Sequence, residues 1–246
     1  MSDPVIEFRQ VRMTFNHIPV LTGFDLAIRP AETVTIIGGS GSGKSVMLKL
    51  IVGLLKPEAG QVLIEGEDIT PLTEDQLLRV RKKIGMVFQN SALFDSLSVA
   101  ENIAYPLREH TVMSEREIRE RVRETLSLVG LEGVEEKDPA ELSGGMRKRV
   151  ALARAIALVP RIILYDEPTT GLDPTNTEKI NELIVDMDKK LGVTSVVVTH
   201  DMRSAFKISD RIALLYQGRI AAAGTPREIE SSDLPLFREF IAGSTS

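Results

Sequence analysis

The chain has no cysteine in 246 residues, which excludes disulfides and cysteine-ligated metal centres outright. Histidine occurs three times, at His17, His110 and His200, which argues against a histidine-rich metal cluster. No stretch reaches the roughly 18 uninterrupted apolar residues of a membrane span. The start, Met1-Ser2-Asp3-Pro4-Val5-Ile6-Glu7, has neither a basic opening nor an apolar core, so no signal peptide is expected there. Positive charge is not in excess either. A formal net charge of −5 argues against a nucleic-acid-binding surface spread over the whole protein, though not against a local basic patch. These absences predict a chain made and kept in the cytosol, held at any membrane it serves by something else. What is present is ordinary for a soluble globular protein, 43% hydrophobic and 26% charged. The length suits one large domain or one domain with an inserted lobe.

Residues Gly38-Gly39-Ser40-Gly41-Ser42-Gly43-Lys44-Ser45 match the G-x-x-x-x-G-K-[ST] phosphate-binding loop. The β-branched run Thr33 to Ile37 before it reads as a buried strand, and Val46 to Leu55 after it reads as a helix. That context separates the motif from a flexible glycine-serine turn. Gly38, Gly41 and Gly43 let the backbone wrap an anion, and successive N–H groups then face phosphate oxygens at a helix start. Lys44 is a mobile charge for the β- and γ-phosphates, and the Ser45 hydroxyl is placed to ligate Mg²⁺. The loop predicts a nucleotide site.

Val5 to Phe15 and Phe24 to Arg29 alternate apolar and polar residues, which predicts antiparallel strands with one solvated face. Phe15 could stack on an adenine base or pack in the core, and its residue type leaves both open. Further strands are expected over Gln61 to Ile64 and Lys83 to Phe88, with a short helix over Leu72 to Arg81 capped near Thr73. The Lys83 strand delivers Gln89 at its C-terminal end, where open α/β sheets bind ligands; its amide suits a water or metal contact that is made and broken. Leu97 to Gly130 is mostly helical, with a capping box at Ser114 to Glu117. Pro106 and Glu109 to Thr111 separate that helix from an earlier one, His110 lying in the connection as a solvated residue. Leu142-Ser143-Gly144-Gly145-Met146 precedes a helix expected over Arg147 to Leu158. Ser143 is its cap, and Gly144 and Gly145 leave bare N–H groups, a second anion-friendly surface.

The apolar strand Arg161 to Tyr165 ends in Asp166-Glu167. Adjacent strand positions point opposite ways, so Asp166 can meet Mg²⁺ while Glu167 acts as general base or orients the attacking water. Gly171 to Pro174 reads as a turn, Thr175 to Glu178 as a capping box, and Ser195 to Thr199 as a strand ending in His200, a possible donor to a γ-phosphate. Strands near Arg211 to Tyr216 and Arg219 to Ala223, a helix capped at Thr225, and an amphipathic tail from Leu234 to Ile241 complete the chain.

In this order the elements resemble the nucleotide-binding subunit of ATP-binding cassette (ABC) transporters over nearly the whole chain. The matching residues are the loop Gly38 to Ser45, Gln89, the signature Leu142 to Met146, Asp166-Glu167, the turn Leu172-Asp173 and His200. The resemblance implies an α/β phosphate-loop NTPase core, a mostly parallel sheet flanked by helices, with an N-terminal antiparallel β region and an inserted helical subdomain. Residues 1–246 would be a single ABC ATPase domain, with about 90–158 as the inserted lobe carrying the signature. It implies ATP and Mg²⁺ as cofactors. Phe15, Gly38, Gly39, Ser40, Gly41, Ser42, Gly43, Lys44, Ser45 and Val46 would bind nucleotide, joined across a head-to-tail dimer by Ser143, Gly144 and Gly145 of a second copy. Glu167, His200 and Gln89 would be catalytic, and Ser45, Gln89 and Asp166 would hold the metal.

The signature usually ends in glutamine, and here Met146 stands in its place. Met146 with Arg147-Lys148-Arg149-Val150, and the tail Ser232 to Gly243, look like the ATPase of Mce-type (Mla) lipid transport systems. That likeness implies permease subunits and an Mce-domain lipid-binding protein as partners, no nucleic acid, and a peripheral position on the cytoplasmic face of the inner membrane. An importer ATPase for a small polar solute such as an amino acid would share every catalytic residue. A cassette protein acting on ribosomes or DNA usually carries two cassettes or long insertions, which this chain lacks.

Overall fold

A computed structural model describes residues 3–232 together with Phe237 and Arg238. The chain opens with β1 (Ile6–Phe15) and β2 (Ile18–Ile28), joined by Asn16 and His17, both at positive φ (49° and 64°) as a tight hairpin requires. The second strand therefore begins six residues before the expected Phe24. Pro19 is tolerated because β2 lies at the sheet edge, where a missing N–H costs no ladder bond. Then come β3 (Thr33–Ile37) and α1 (Lys44–Ile51), which starts earlier and ends sooner than Val46 to Leu55, with Gly53 left-handed just after it. Next are β4 (Ala59–Ile64), β5 (Glu67–Asp68) and α2 (Glu74–Arg81). Thr73 Oγ1 accepts from the Gln76 N–H while Gln76 returns a bond to the Thr73 N–H, the expected cap.

β6 (Ile84–Val87) leads to α3 (Val99–His110), α4 (Glu115–Leu128) and, after a 3-10 turn at Pro139–Glu141, α5 (Gly144–Ile156). Pro106 and His110 lie inside α3 rather than in a connection. The Ser98–Glu101 capping box and the buried face Val99, Ile103, Ala104 and Leu107 offset the one lost helical bond. The capping box at Ser114 and Glu117 opens α4 as expected. The remaining elements are β7 (Ile162–Asp166), α6 (Pro174–Leu191), β8 (Thr194–Val198), α7 (Met202–Ile208), β9 (Arg211–Tyr216), β10 (Arg219–Gly224) and α8 (Pro226–Glu230). The cap of α6 is Asp173 rather than Thr175, because Pro174 at the first helical position places Asp173 Oδ1 on the N–H groups of Thr175 and Asn176. The expected tail Leu234 to Ile241 lies outside the described residues except for Phe237 and Arg238.

The chain divides into two compact units, residues 1–81 with 194–246, and residues 82–193. In the first, β2-β1-β4-β5 form an antiparallel sheet whose inner face stacks Phe8 edge-on against Phe24 at 5.0 Å. A second set of strands in that unit runs β10-β9-β3-β8, with β3 parallel to both neighbours. All five residues of β3 and all five of β8 are buried, as a parallel strand covered on both faces demands. Phe237, 1% exposed, packs with Ile37, Met202 and Leu214 under this sheet. In the second unit β6 and β7 pair in parallel, and α5 packs on α3, α4, α6 and β6. The fold is α/β with an antiparallel sheet and a mixed sheet bearing helices. Among the described residues no helix is long and apolar enough to cross a membrane.

Candidate active site

In the first unit the glycine loop leaves the C-terminal end of β3. Ile36 pairs with Val198 of β8, so Gly38 and His200 stand two residues beyond a matched pair on neighbouring parallel strands. Gly41 and Gly43 adopt φ of 74° and 106°, where a side chain would be strained. Gly38 is needed for another reason: a Cβ there would lie 2.7 Å from the Leu215 carbonyl oxygen. The Lys44 ammonium donates to the carbonyls of Gly38 (2.7 Å) and Gly39 (3.0 Å), curling over the loop it belongs to. Ser40 and Ser45 are exposed, Val46 is half-buried, and lacking a hydroxyl it offers an anion only its backbone N–H. Ser42 Oγ is buried against Gly38 with no hydrogen-bond partner among the described residues. Phe15 ends β1 with 38% of its surface exposed, which sets aside the core-packing reading. His200 is exposed at the end of β8.

The second unit gathers the other motifs around α5. Ser143 caps it, its Oγ accepting from the Met146 N–H at 3.3 Å. Gly144 and Gly145 form the first turn, three residues before the expected Arg147, so their N–H groups belong to the helix start itself. Met146 is half-buried. β7 ends at Asp166, and Glu167 is not the next strand residue but a left-handed one, φ 50°. Strand pleat therefore does not set the Glu167 side chain opposite that of Asp166, because the strand has already ended. Glu167 Oε2 accepts from Thr170 Oγ1 at 3.1 Å, which orients the carboxylate. Asp173 sits beside the signature helix's neighbour α6, its carboxyl held below the ordinary range first by the Asn176 N–H and then by the Asn176 side chain.

The sequence reading missed Lys148 and Arg154. Lys148 is 6% exposed, and its ammonium donates to the backbone carbonyls of Gln89 and Glu167 (3.3 Å for the latter). Burial pushes this ammonium below the usual lysine range, against the opposing pull of the Glu167 and Asp166 charges. Arg154 donates to the carbonyls of Ser91 (3.0 Å) and Ala92 (2.8 Å), both left-handed at φ 64° and 47°, and lies 5.7 Å from the Phe94 ring centre. The fully buried Asn102 completes this frame, accepting from the Phe94 N–H and donating to the carbonyls of Phe94, Leu97 and Ser98. One signal was available: Lys148 falls three residues after Gly145 and four before Leu152, on the apolar stripe of an otherwise amphipathic helix.

The sequence profile described as ABC transporter matches residues 21–170. The chain is 39% identical over 246 residues to the intermembrane phospholipid transport system ATP-binding protein MlaF of Haemophilus influenzae, covering 100% of this chain and 93% of that protein. It is 42% identical over 238 residues to the probable ribonucleotide transport ATP-binding protein mkl of Mycobacterium leprae, covering 97% and 69% respectively. Among solved structures, the ATP-binding cassette MJ0796, a dimer in a post-hydrolysis state bound to ADP and Pi, matches with a TM-score of 0.83 at 39% identity, over 90% of this chain and 99% of that one. An ordered set of motifs, a shared fold and likeness along the whole length meet in one assignment: the chain belongs to the ABC transporter family, as an ATP-binding and ATP-hydrolysing subunit.

Proposed function

We propose that this subunit drives the movement of phospholipids or related lipids between bacterial membranes, working as a head-to-tail pair beneath a permease. The observation that carries this reading is the likeness to MlaF along all of this chain. We read residues 1–246 as one ABC ATPase domain, with about 90–158 as its inserted lobe. Each nucleotide would meet the glycine loop and Phe15 of one copy and the Ser143-Gly144-Gly145 helix start of the other. Lys44 supplies charge to the β- and γ-phosphates, Glu167 takes the proton of the attacking water or orients it, and His200 donates to the γ-phosphate. Ser45, Gln89 and Asp166 offer hydroxyl, amide and carboxylate oxygens, the hard donors that suit Mg²⁺. No cluster of three His, Cys, Asp or Glu occurs among the described residues, which fits an ion held largely by substrate phosphates. When bound, that ion neutralises charge between the phosphates.

Force would pass to the permease through the segment after Gln89. Phe94 and Tyr105 are 44% and 46% exposed with rings 5.1 Å apart, an aromatic pair suited to seating a short apolar helix. Leu93 beside Phe94 is half-buried and contributes less. The site implied is peripheral, on the cytoplasmic face of the inner membrane. The name of mkl, a probable ribonucleotide transport ATP-binding protein, favours a second reading, transport of a small polar solute. Purification through a tag on this chain separates the two: a permease with an Mce-domain protein and lipid supports lipid transport. A permease with a soluble solute-binding protein sinks it. Aspartate at both Leu93 and Phe94 should abolish permease recovery while ATP still binds, and full recovery would move the coupling surface elsewhere.

A further inference from the structure

Arg147-Lys148-Arg149 reads as a short basic run, yet its members are spent on backbone carbonyls. Arg147 donates to Leu142 (2.6 Å), Arg149 to Val129 (3.3 Å), and Lys148 to Gln89 and Glu167. Only Lys148 is buried, and only Lys148 joins two residues that the proposed chemistry uses. The geometry behind that junction is set by the sheet. Val87 of β6 pairs with Tyr165 of β7, so Gln89 and Glu167 stand at equal distances beyond a matched pair of parallel strands. Among the described residues the ladder between β6 and β7 ends at that pair. Glu167 also sits in left-handed backbone, a conformation that persists only where the surroundings impose it. An ammonium has three donors on a compact centre, so it can hold two carbonyls at once from one point on α5.

We propose that Lys148 is a positioning residue for ATP hydrolysis: by donating to both carbonyls it clamps the backbones of Gln89 and Glu167 together and keeps Glu167 in its left-handed turn. The clamp rests on the reading of Glu167 as the residue that activates water. It acts on that residue through the main chain, without touching substrate. Because it projects from α5, it also ties the strand ends to the helix that begins at Ser143. Thr170 orients the Glu167 carboxylate, but Lys148 holds the backbone that carries it, and a displacement of about 1 Å there costs on the order of 10²-fold in rate.

The test uses the full chain and four variants, Lys148→Met, Lys148→Arg, Glu167→Gln and the double Lys148→Met/Glu167→Gln. Lys148→Met should lower kcat about 10- to 100-fold with the Kd for ATP changed less than about threefold. Lys148→Arg, which keeps the donors, should recover most of kcat. The double variant should be no slower than Glu167→Gln alone, since both changes disable one unit. Wild-type kcat in Lys148→Met beside an inactive Glu167→Gln overturns the clamp alone, and so do losses that multiply in the double variant. Normal turnover in Glu167→Gln sinks the water-activation reading and the clamp with it. If Lys148→Met does not fold, Lys148→Gln takes its place. Its shorter amide reaches at most one carbonyl, so kcat should fall by more than about threefold, and an unchanged kcat overturns the proposal.

Discussion

The glycine loop after β3 and the loops after β6 and β7 all pass through left-handed backbone at the C-terminal ends of parallel strands, by different means. In the first, Gly41 and Gly43 take the positive φ, and neither has a Cβ to object. In the others the residues are Ser91, Ala92 and Glu167, each of which carries side-chain strain of about 1–3 kcal/mol. Their carbonyls are held by the charged donors Arg154 and Lys148, and hydrogen bonds from charged groups contribute about 1.5–3 kcal/mol each, enough to offset it. The glycine loop thus owes its path to its own residues, whereas the other two owe theirs to α5. A local change in the first should alter binding and little else. A change in α5 should release two loops at once.

The largest effect should come from striking the chemistry carried by the helix-held loop. Glu167→Gln keeps the shape of the side chain but removes its capacity to take a proton. Turnover should fall about 10²- to 10⁴-fold while calorimetry still finds ATP bound; normal turnover would transfer the role to another group. Lys44→Ala strikes the glycine-held loop instead. ATP affinity should weaken about 10- to 100-fold, as expected for loss of a charge-assisted contact. Its melting temperature should barely move, since the glycines still set the path. A large loss of stability would break the contrast.

Arg154→Ala should show the reverse pattern. Denaturant unfolding should report a loss of about 2–4 kcal/mol, and amide exchange at residues 91–94 should quicken, with ATP affinity unaltered. Unchanged exchange would mean that the Ser91–Ala92 turn holds without its arginine. The finest test exchanges the devices. Ala92→Gly relieves left-handed strain of about 1–2 kcal/mol at an entropic cost of about 0.5–1, so the melting temperature should rise by about 1–4 °C. Gly41→Ala, at φ 74° with open space around it, should lower it by a similar amount. If both substitutions shift it in the same direction, backbone strain is not what distinguishes the loops.

Motifs built from short-range chemistry were legible in the residues. Thr33 to Ile37 is β3 residue for residue, Ser114 and Glu117 form their capping box, and Ser143 is the cap it was expected to be. Errors arose where a local rule met a tertiary one. The strand expected from Phe24 begins at Ile18 because Pro19 is tolerated at a sheet edge, Pro106 is carried within α3 by its buried face, and Asp173 displaces Thr175 as the cap of α6. The separation of Asp166 from Glu167 was read as strand pleat, whereas the strand stops between them.

What the sequence alone determined is the part in which residue type and spacing suffice: the glycine loop and its lysine, the helix caps, the buried parallel strands and the order of motifs that identifies the family. Each depends on a backbone preference or a contact within a few residues, and such terms operate wherever the chain goes. What only the tertiary structure decided is which distant groups hold the non-glycine turns. Lys148 lies 59 residues from Gln89 and 19 from Glu167, and Arg154 lies 63 from Ser91. A long cation records no partner in its spacing, because its flexible stem can reach whatever carbonyl packing brings near, and that choice is made only when α5 settles on β6 and β7 fixes the strand end beside it.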